Sequence, residues 1–159
     1  MEFLYRGIDK RDPKKAQWVT GSYHQHLPYT PYPIGGDPNK IKEDTQHLII
    51  SDGFSDWGLP RSVQAIEVYP ESVSISTGFV LNNHMVYEGD ILYILNTELA
   101  IDDEFFVYWD KDDYAFKLTT TFEKNVPVIN TYLSTINDMK NIELLKLVGN
   151  VWERNLEKS

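Results

Sequence analysis

The sequence predicts a mainly β fold of the α+β kind, with one short helix near residues 126–139. Three observations predict it. Short runs of strand-forming residues alternate with turns rich in Gly, Pro, Asn and Asp along most of the chain. The run Tyr87-Glu88-Gly89-Asp90-Ile91-Leu92-Tyr93-Ile94-Leu95 sets a polar turn on Gly89 ahead of a strand, the way small β-barrels begin a long bent strand. Four Trp, ten Tyr and seven Phe, within 42% hydrophobic residues, supply a core that a disordered chain would lack. A length of 159 residues suits one domain, or a small domain with an extension.

The elements follow in order. Residues 3–23 read as two short extended pieces around the polar turn Asp9-Lys10-Arg11-Asp12-Pro13-Lys14-Lys15, where Pro13 opposes regular structure. Trp18-Val19 opens the second piece, which ends near Tyr23. Residues 24–44 carry Pro28, Pro31, Pro33, Gly35, Gly36 and Pro38 and read as a long loop, because proline removes a ladder donor and fixes φ. Tyr29 and Tyr32 are expected to pin that loop to the body. His47 to Ser51 reads as a strand and Asp52 to Gly58 as another loop. Val63, Ala65 (or Ile66) and Val68 lie in a strand halted by Pro70. Phe79 to Leu81 and Met85 to Tyr87 flank Asn82-Asn83, whose tolerance of left-handed backbone marks a hairpin turn. Ile91 to Leu95 and Phe105 to Trp109 are the clearest strands, and Asp110 to Asp113 turns the chain into Tyr114 to Phe122. Val128, Ile129, Tyr132, Leu133, Ile136 and Met139 recur at helical spacing, with Asn125 as N-cap and Pro127 in the first turn. Leu144 to Trp152 reads as a final strand broken by Gly149-Asn150.

Charge and composition narrow the function. The 24 acidic and 15 basic side chains leave a formal charge of -9, a field that repels phosphate backbones, so nucleic acid is not an expected partner. The densest basic segment, Arg6 to Lys15, is diluted by Glu2, Asp9 and Asp12. The lack of cysteine removes disulfides, zinc thiolates and thiol nucleophiles, and fits a reducing cytoplasm. Met1 to Arg6 shows no basic stretch leading into a long apolar run, so no signal peptide is expected. Ile91 to Leu95 is too short to cross a bilayer, and no membrane association is expected.

Four segments, in order and spread over nearly the whole chain, carry a resemblance. Tyr5-Arg6-Gly7 followed by Trp18-Val19-Thr20-Gly21 is the first. Val68-Tyr69-Pro70-Glu71-Ser72-Val73, then Thr77-Gly78-Phe79, is the second. Val86-Tyr87-Glu88-Gly89-Asp90-Ile91 is the third, and Leu147-Val148-Gly149-Asn150-Val151-Trp152-Glu153 the fourth. Together they resemble the YopX family of small bacteriophage and prophage proteins. Ser72 stands where that family prefers Thr, Asn82-Asn83 replaces a Gly-containing turn, and Arg154-Asn155-Leu156 departs from the family's tail. The resemblance implies an irregular N-terminal part over 1–65 and an SH3-like β-barrel roll over 66–159. It also implies a phage gene product in the bacterial cytoplasm, possible self-association, and no reaction.

No constellation argues for catalysis. His24 and His26 would share a face in a strand, but Pro28 follows and His47 and His84 are remote, so a loop pair is the reading and no metal is assigned. Asp110-Lys111-Asp112-Asp113 lacks the Gly and Glu of a calcium loop, having Ala115 and Thr121 at those places. No phosphate-cradling glycine motif and no nucleophile elbow occur, and no cofactor is expected. Glu88 and Asp90 are the remote candidates for an enzyme; Asp90 is expected to accept backbone donors and Glu88 to be exposed. The acidic set Asp102, Asp103, Glu104, Asp110, Asp112 and Asp113, near Glu98 and opposed by Lys111, is the candidate surface for a protein partner. The expected function is non-enzymatic protein binding or self-association, with acidic imitation of DNA as the alternative.

Overall fold

The structure, a computed structural model, describes residues 4–12, 15–27, 37–52, 62–120, 122–123, 126–127 and 131–156. The chain divides into two units, Met1–Ile75 and Ser76–Ser159, each built on antiparallel strands. The sequence reading placed a boundary at 65/66. Residues 66–75 group instead with the first unit, because Ile66 pairs with Ile49 and the Ser72 hydroxyl reaches back to the Ile8 amide.

The first unit contains β1 (Tyr5–Ile8), β2 (Trp18–His26), α1 (Pro38–Asp44), β3 (Gln46–Asp52), β4 (Val63–Glu67) and a 3-10 turn (Pro70–Ser72). The strands lie in the order β4-β3-β2-β1, and Ser74 and Ile75 continue the ladder beside Arg6 and Tyr5. Ile8, Ile49, Ile66 and Val68 are its buried apolar residues. In β2 the period of two is plain: Thr20, Ser22, His24 and His26 are exposed, while Val19, Gly21 and Tyr23 between them are half-buried.

The second unit is organised by β5 (Ser74–Leu81), whose first two residues lie in the first unit, and β6 (His84–Tyr87). Asn82 and Asn83 hold φ of 49° and 65° and form the two-residue turn between them. There follow β7 (Asp90–Asn96), β8 (Ile101–Asp110), β9 (Ala115–Thr119), β10 (Phe122–Glu123), β11 (Val126–Pro127), β12 (Thr131–Tyr132), α2 (Thr135–Asp138), β13 (Leu144–Asn150) and α3 (Val151–Leu156). Five strands form a sheet in the order β12-β9-β8-β7-β13, and β10 pairs with β11. Leu92, Ile94, Phe105, Val107, Leu118, Val86, Leu133 and Ile136 make the core of this unit. Among the described residues the ladder does not close: its end strands β12 and β13 are not neighbours, so it is not a closed barrel.

Several expectations are corrected. The helix near 126–139 shrinks to α2, preceded by β11 and β12. Thr131, β-branched and stiff at χ1, sits in a strand. Leu133 and Ile136, from the expected apolar face, are buried in the core. The expected loop over 24–44 begins as strand through His26 and ends as α1. Asp37 accepts a 2.9 Å hydrogen bond from the Asn39 amide, and Pro38 stands in the first turn, where its missing N–H costs nothing. Tyr29 and Tyr32, and the loop expected over 52–58 beyond Asp52, fall outside the described residues. The final strand stops at Asn150, and Val151-Trp152 opens α3. The Trp152 amide donates to the Asn150 side-chain oxygen at 2.8 Å, so Asn150 caps the new helix.

Candidate functional site

Each unit has a polar node that fixes its backbone. In the first, a Cβ on Gly7 would lie 2.9 Å from the Val68 side chain, so glycine lets Val68 pack against β1. The Ile8 amide donates to Ser72 Oγ at 2.8 Å, and that hydroxyl donates to the Tyr69 carbonyl at 2.7 Å. The Arg6 guanidinium lies 4.2 Å from the centre of the Trp18 ring. Asp9 is buried and holds Arg11, whose side-chain hydrogen bonds keep the Asp9 carboxyl below its ordinary range. In the second unit, the Tyr87 amide donates to Asp90 Oδ2 at 2.9 Å, and the Asn150 amide nitrogen to Asp90 Oδ1 at 3.2 Å. Gly89 donates to the Val107 carbonyl and accepts from the Val151 amide.

Asp90 is therefore a buried backbone acceptor, as its position in the turn suggested. Glu88 is half-buried, not exposed, and its carboxylate accepts from the Trp109 amide at 3.4 Å. Glu88 and Asp90 thus accept from different backbone amides, those of Trp109 and Tyr87.

The six acidic candidates separate into two groups at opposite ends of β8. From Asp102 to Asp110 is eight strand residues, or about 27 Å. At one end the Tyr93 hydroxyl donates to Asp102, Asp103 accepts from the Glu104 amide, and Glu104 takes Arg154 bidentately at 2.6 and 2.8 Å. Arg154 holds the Glu104 carboxyl below its ordinary range. At the other end Asp110 accepts from Lys117 Nζ at 2.8 Å and from the Asp112 and Asp113 amides. Asp113 accepts from the same ammonium and from the Tyr132 hydroxyl, and Lys117 keeps both carboxyls low. The Lys117 side chain is nearly buried, while Asp112 is exposed.

Beside this second group lies a groove of about 310 Å³ lined by Thr77, Gly78, Phe79, Ala115, Phe116, Tyr132, Leu133, Ser134 and Asn137. It opens where β5 loses its pairing with β6, between Ser76 and Val80. Gly78 holds φ at +78° there, and the Phe79 amide turns to Thr77 Oγ1. Phe79 and Phe116 pack against the core and supply apolar walls. Thr77, Ser134 and Asn137 supply polar groups, and Tyr132 joins the groove to the Asp113 turn through its hydroxyl. The volume is at the small end of the ~300–1,000 Å³ range of ligand pockets and suits one bulky side chain.

Sequence reasoning placed Asp110, Asp112 and Asp113 in a turn but missed the groove beside them. A glycine interrupting the strand pattern at Gly78 was the available signal. His24 and His26 lie in β2 and not in a loop, while His47 accepts or shares a 2.5 Å hydrogen bond with the Tyr23 hydroxyl. Burial, and then the nearby Lys10, push the His47 ring below its ordinary value. Among the described residues no group of three or more His, Asp or Glu converges as for a metal ion. No helix among them is long and apolar enough to cross a membrane. No protein-family model, curated protein or solved structure matches the chain.

Proposed function

We propose that the chain is a non-enzymatic protein-binding module whose groove takes an apolar anchor side chain flanked by basic residues. The observation that carries this reading is the junction at Tyr132: its ring lines the groove and its hydroxyl bonds Asp113 of the acidic turn. An apolar hole beside exposed carboxylates complements a side chain such as Leu, Phe or Trp next to Lys or Arg. The partner set includes a second copy of the chain, and light scattering at micromolar concentration reads that case as a mass above 18.5 kDa.

The four sequence segments that resemble the YopX family support a phage or prophage accessory role in the bacterial cytoplasm. The first two meet at Gly7, Val68 and Ser72, and the last two at Gly89, Asp90 and Asn150. An SH3-like roll is the finer reading of the second unit, with the β5–β6 hairpin and the five-stranded sheet as its parts. Acidic imitation of DNA is the alternative; it draws less support because its carboxylates fall into two groups about 27 Å apart along β8.

A fluorescence-polarisation panel tests the binding reading. Peptides with a Trp or Leu anchor between lysines should bind, and salt should weaken them. Peptides with the anchor changed to Ala, or the lysines to glutamates, should not. Asn137→Trp, which places an indole in the groove, should abolish binding while leaving the circular dichroism unchanged. Binding that ignores both anchor and groove would overturn the proposal.

A further inference from the structure

We propose that His24 and His26 form a two-imidazole site for a divalent transition metal ion, such as Zn²⁺, Ni²⁺ or Cu²⁺, on the exposed face of β2. The inference stands apart from the groove, which lies in the other unit. Its basis is the strand. Residues two apart in β2 point to one face, with Cα atoms about 6.7 Å apart. Two rings leaning together reach the ~3.3 Å nitrogen separation of a tetrahedral ion bound at ~2.05 Å.

The surroundings leave both rings accessible. His24 and His26 are exposed, in step with Ser22 and Thr20 on the same face. Pairing with β1 covers β2 only from Trp18 to Gly21, short of both histidines. On β3, Leu48 stands directly across from His24 and Gln46 across from His26. Neither is cationic, so no positive charge opposes an ion at the directly paired positions. Directly opposed residues share a face, so Gln46 stands on the same face as His26. Imidazole nitrogen selects zinc, nickel and copper over magnesium and calcium, which prefer oxygen. His47 occupies the next odd position across the ladder, opposite Gln25, and is engaged with Tyr23. It belongs to the other face and takes no part.

Equilibrium titration of the untagged full chain with ZnCl₂ and NiCl₂ tests the site. One ion per chain, bound in the micromolar range, is expected. His24→Ala and His26→Ala should each weaken binding at least about tenfold, or ~1.4 kcal/mol. His84→Ala, on the β5–β6 hairpin, should change nothing. Substoichiometric Cu²⁺ should broaden the imidazole resonances of His24 and His26 before that of His84. Absence of saturable binding, or binding that survives both His24→Ala and His26→Ala, would overturn the proposal.

Discussion

Gly89 holds φ at +82°, in the left-handed region, and a Cβ there would lie 3.2 Å from the Asn150 side chain. Gly89→Val therefore adds backbone strain and crowds the Asp90–Asn150 pair. A loss of about 1–3 kcal/mol in urea unfolding is expected, and an unchanged midpoint would remove the turn from the account. This much was legible in the sequence, because a tight polar turn before an apolar strand calls for glycine. Ser72 was not legible. Its hydroxyl satisfies the amide of Ile8, 64 residues earlier in the chain, and nothing local announces such a bond. Ser72→Ala strands that buried donor and should cost about 1–3 kcal/mol. Ser72→Thr, which keeps the hydroxyl, should recover most of the loss, and equal losses for the two variants would contradict the assignment.

At the scale of elements, the β8–β9 turn is an electrostatic clamp. Lys117 joins Asp110 and Asp113, and lowers both carboxyls from an ordinary 3.8. A carboxyl lowered in the folded state stabilises fully above its ordinary value and loses that contribution as pH falls through the folded one. Lys117 is raised from 10.5, so its side of the same contact persists below that pH and fades only above it. Lys117→Met should lower the urea midpoint at pH 7, and the gap from the parent should narrow as the pH falls below 3.8. A gap independent of pH would sink the clamp. His47 titrates separately: burial lowers it from 6.5, so its contribution starts to fade as pH falls below that value, in both proteins. Strands and the Asn82-Asn83 hairpin were readable because alternation and turn chemistry are local. The short helices were not. Apolar spacing over 128–139 suited a helix, yet the structure uses Leu133 and Ile136 in a single turn and gives Thr131-Tyr132 to a sheet edge. Proline-rich composition hid α1, although Asp37-Pro38 is a helix start when read by position.

At the scale of the molecule, the charge of -9 and the aromatic content were read directly, but the destination of the charges was not. Sequence adjacency suggested one acidic face. An extended β8 instead separates Asp102 from Asp110, and Arg154 and Lys117, 50 and 7 positions from their partners, neutralise part of each group. What stays together is Asp112, Asp113 and Tyr132 beside an apolar groove. The central claim is that this groove and turn act as one binding surface. Amide chemical-shift mapping of the labelled protein with a Lys-flanked Trp peptide tests it most directly. The account predicts shifts concentrated at Thr77–Phe79, Phe116, Tyr132–Asn137 and Asp110–Asp113, absent when the peptide's Trp is replaced by Ala. Shifts elsewhere, or equal shifts with both peptides, would contradict it.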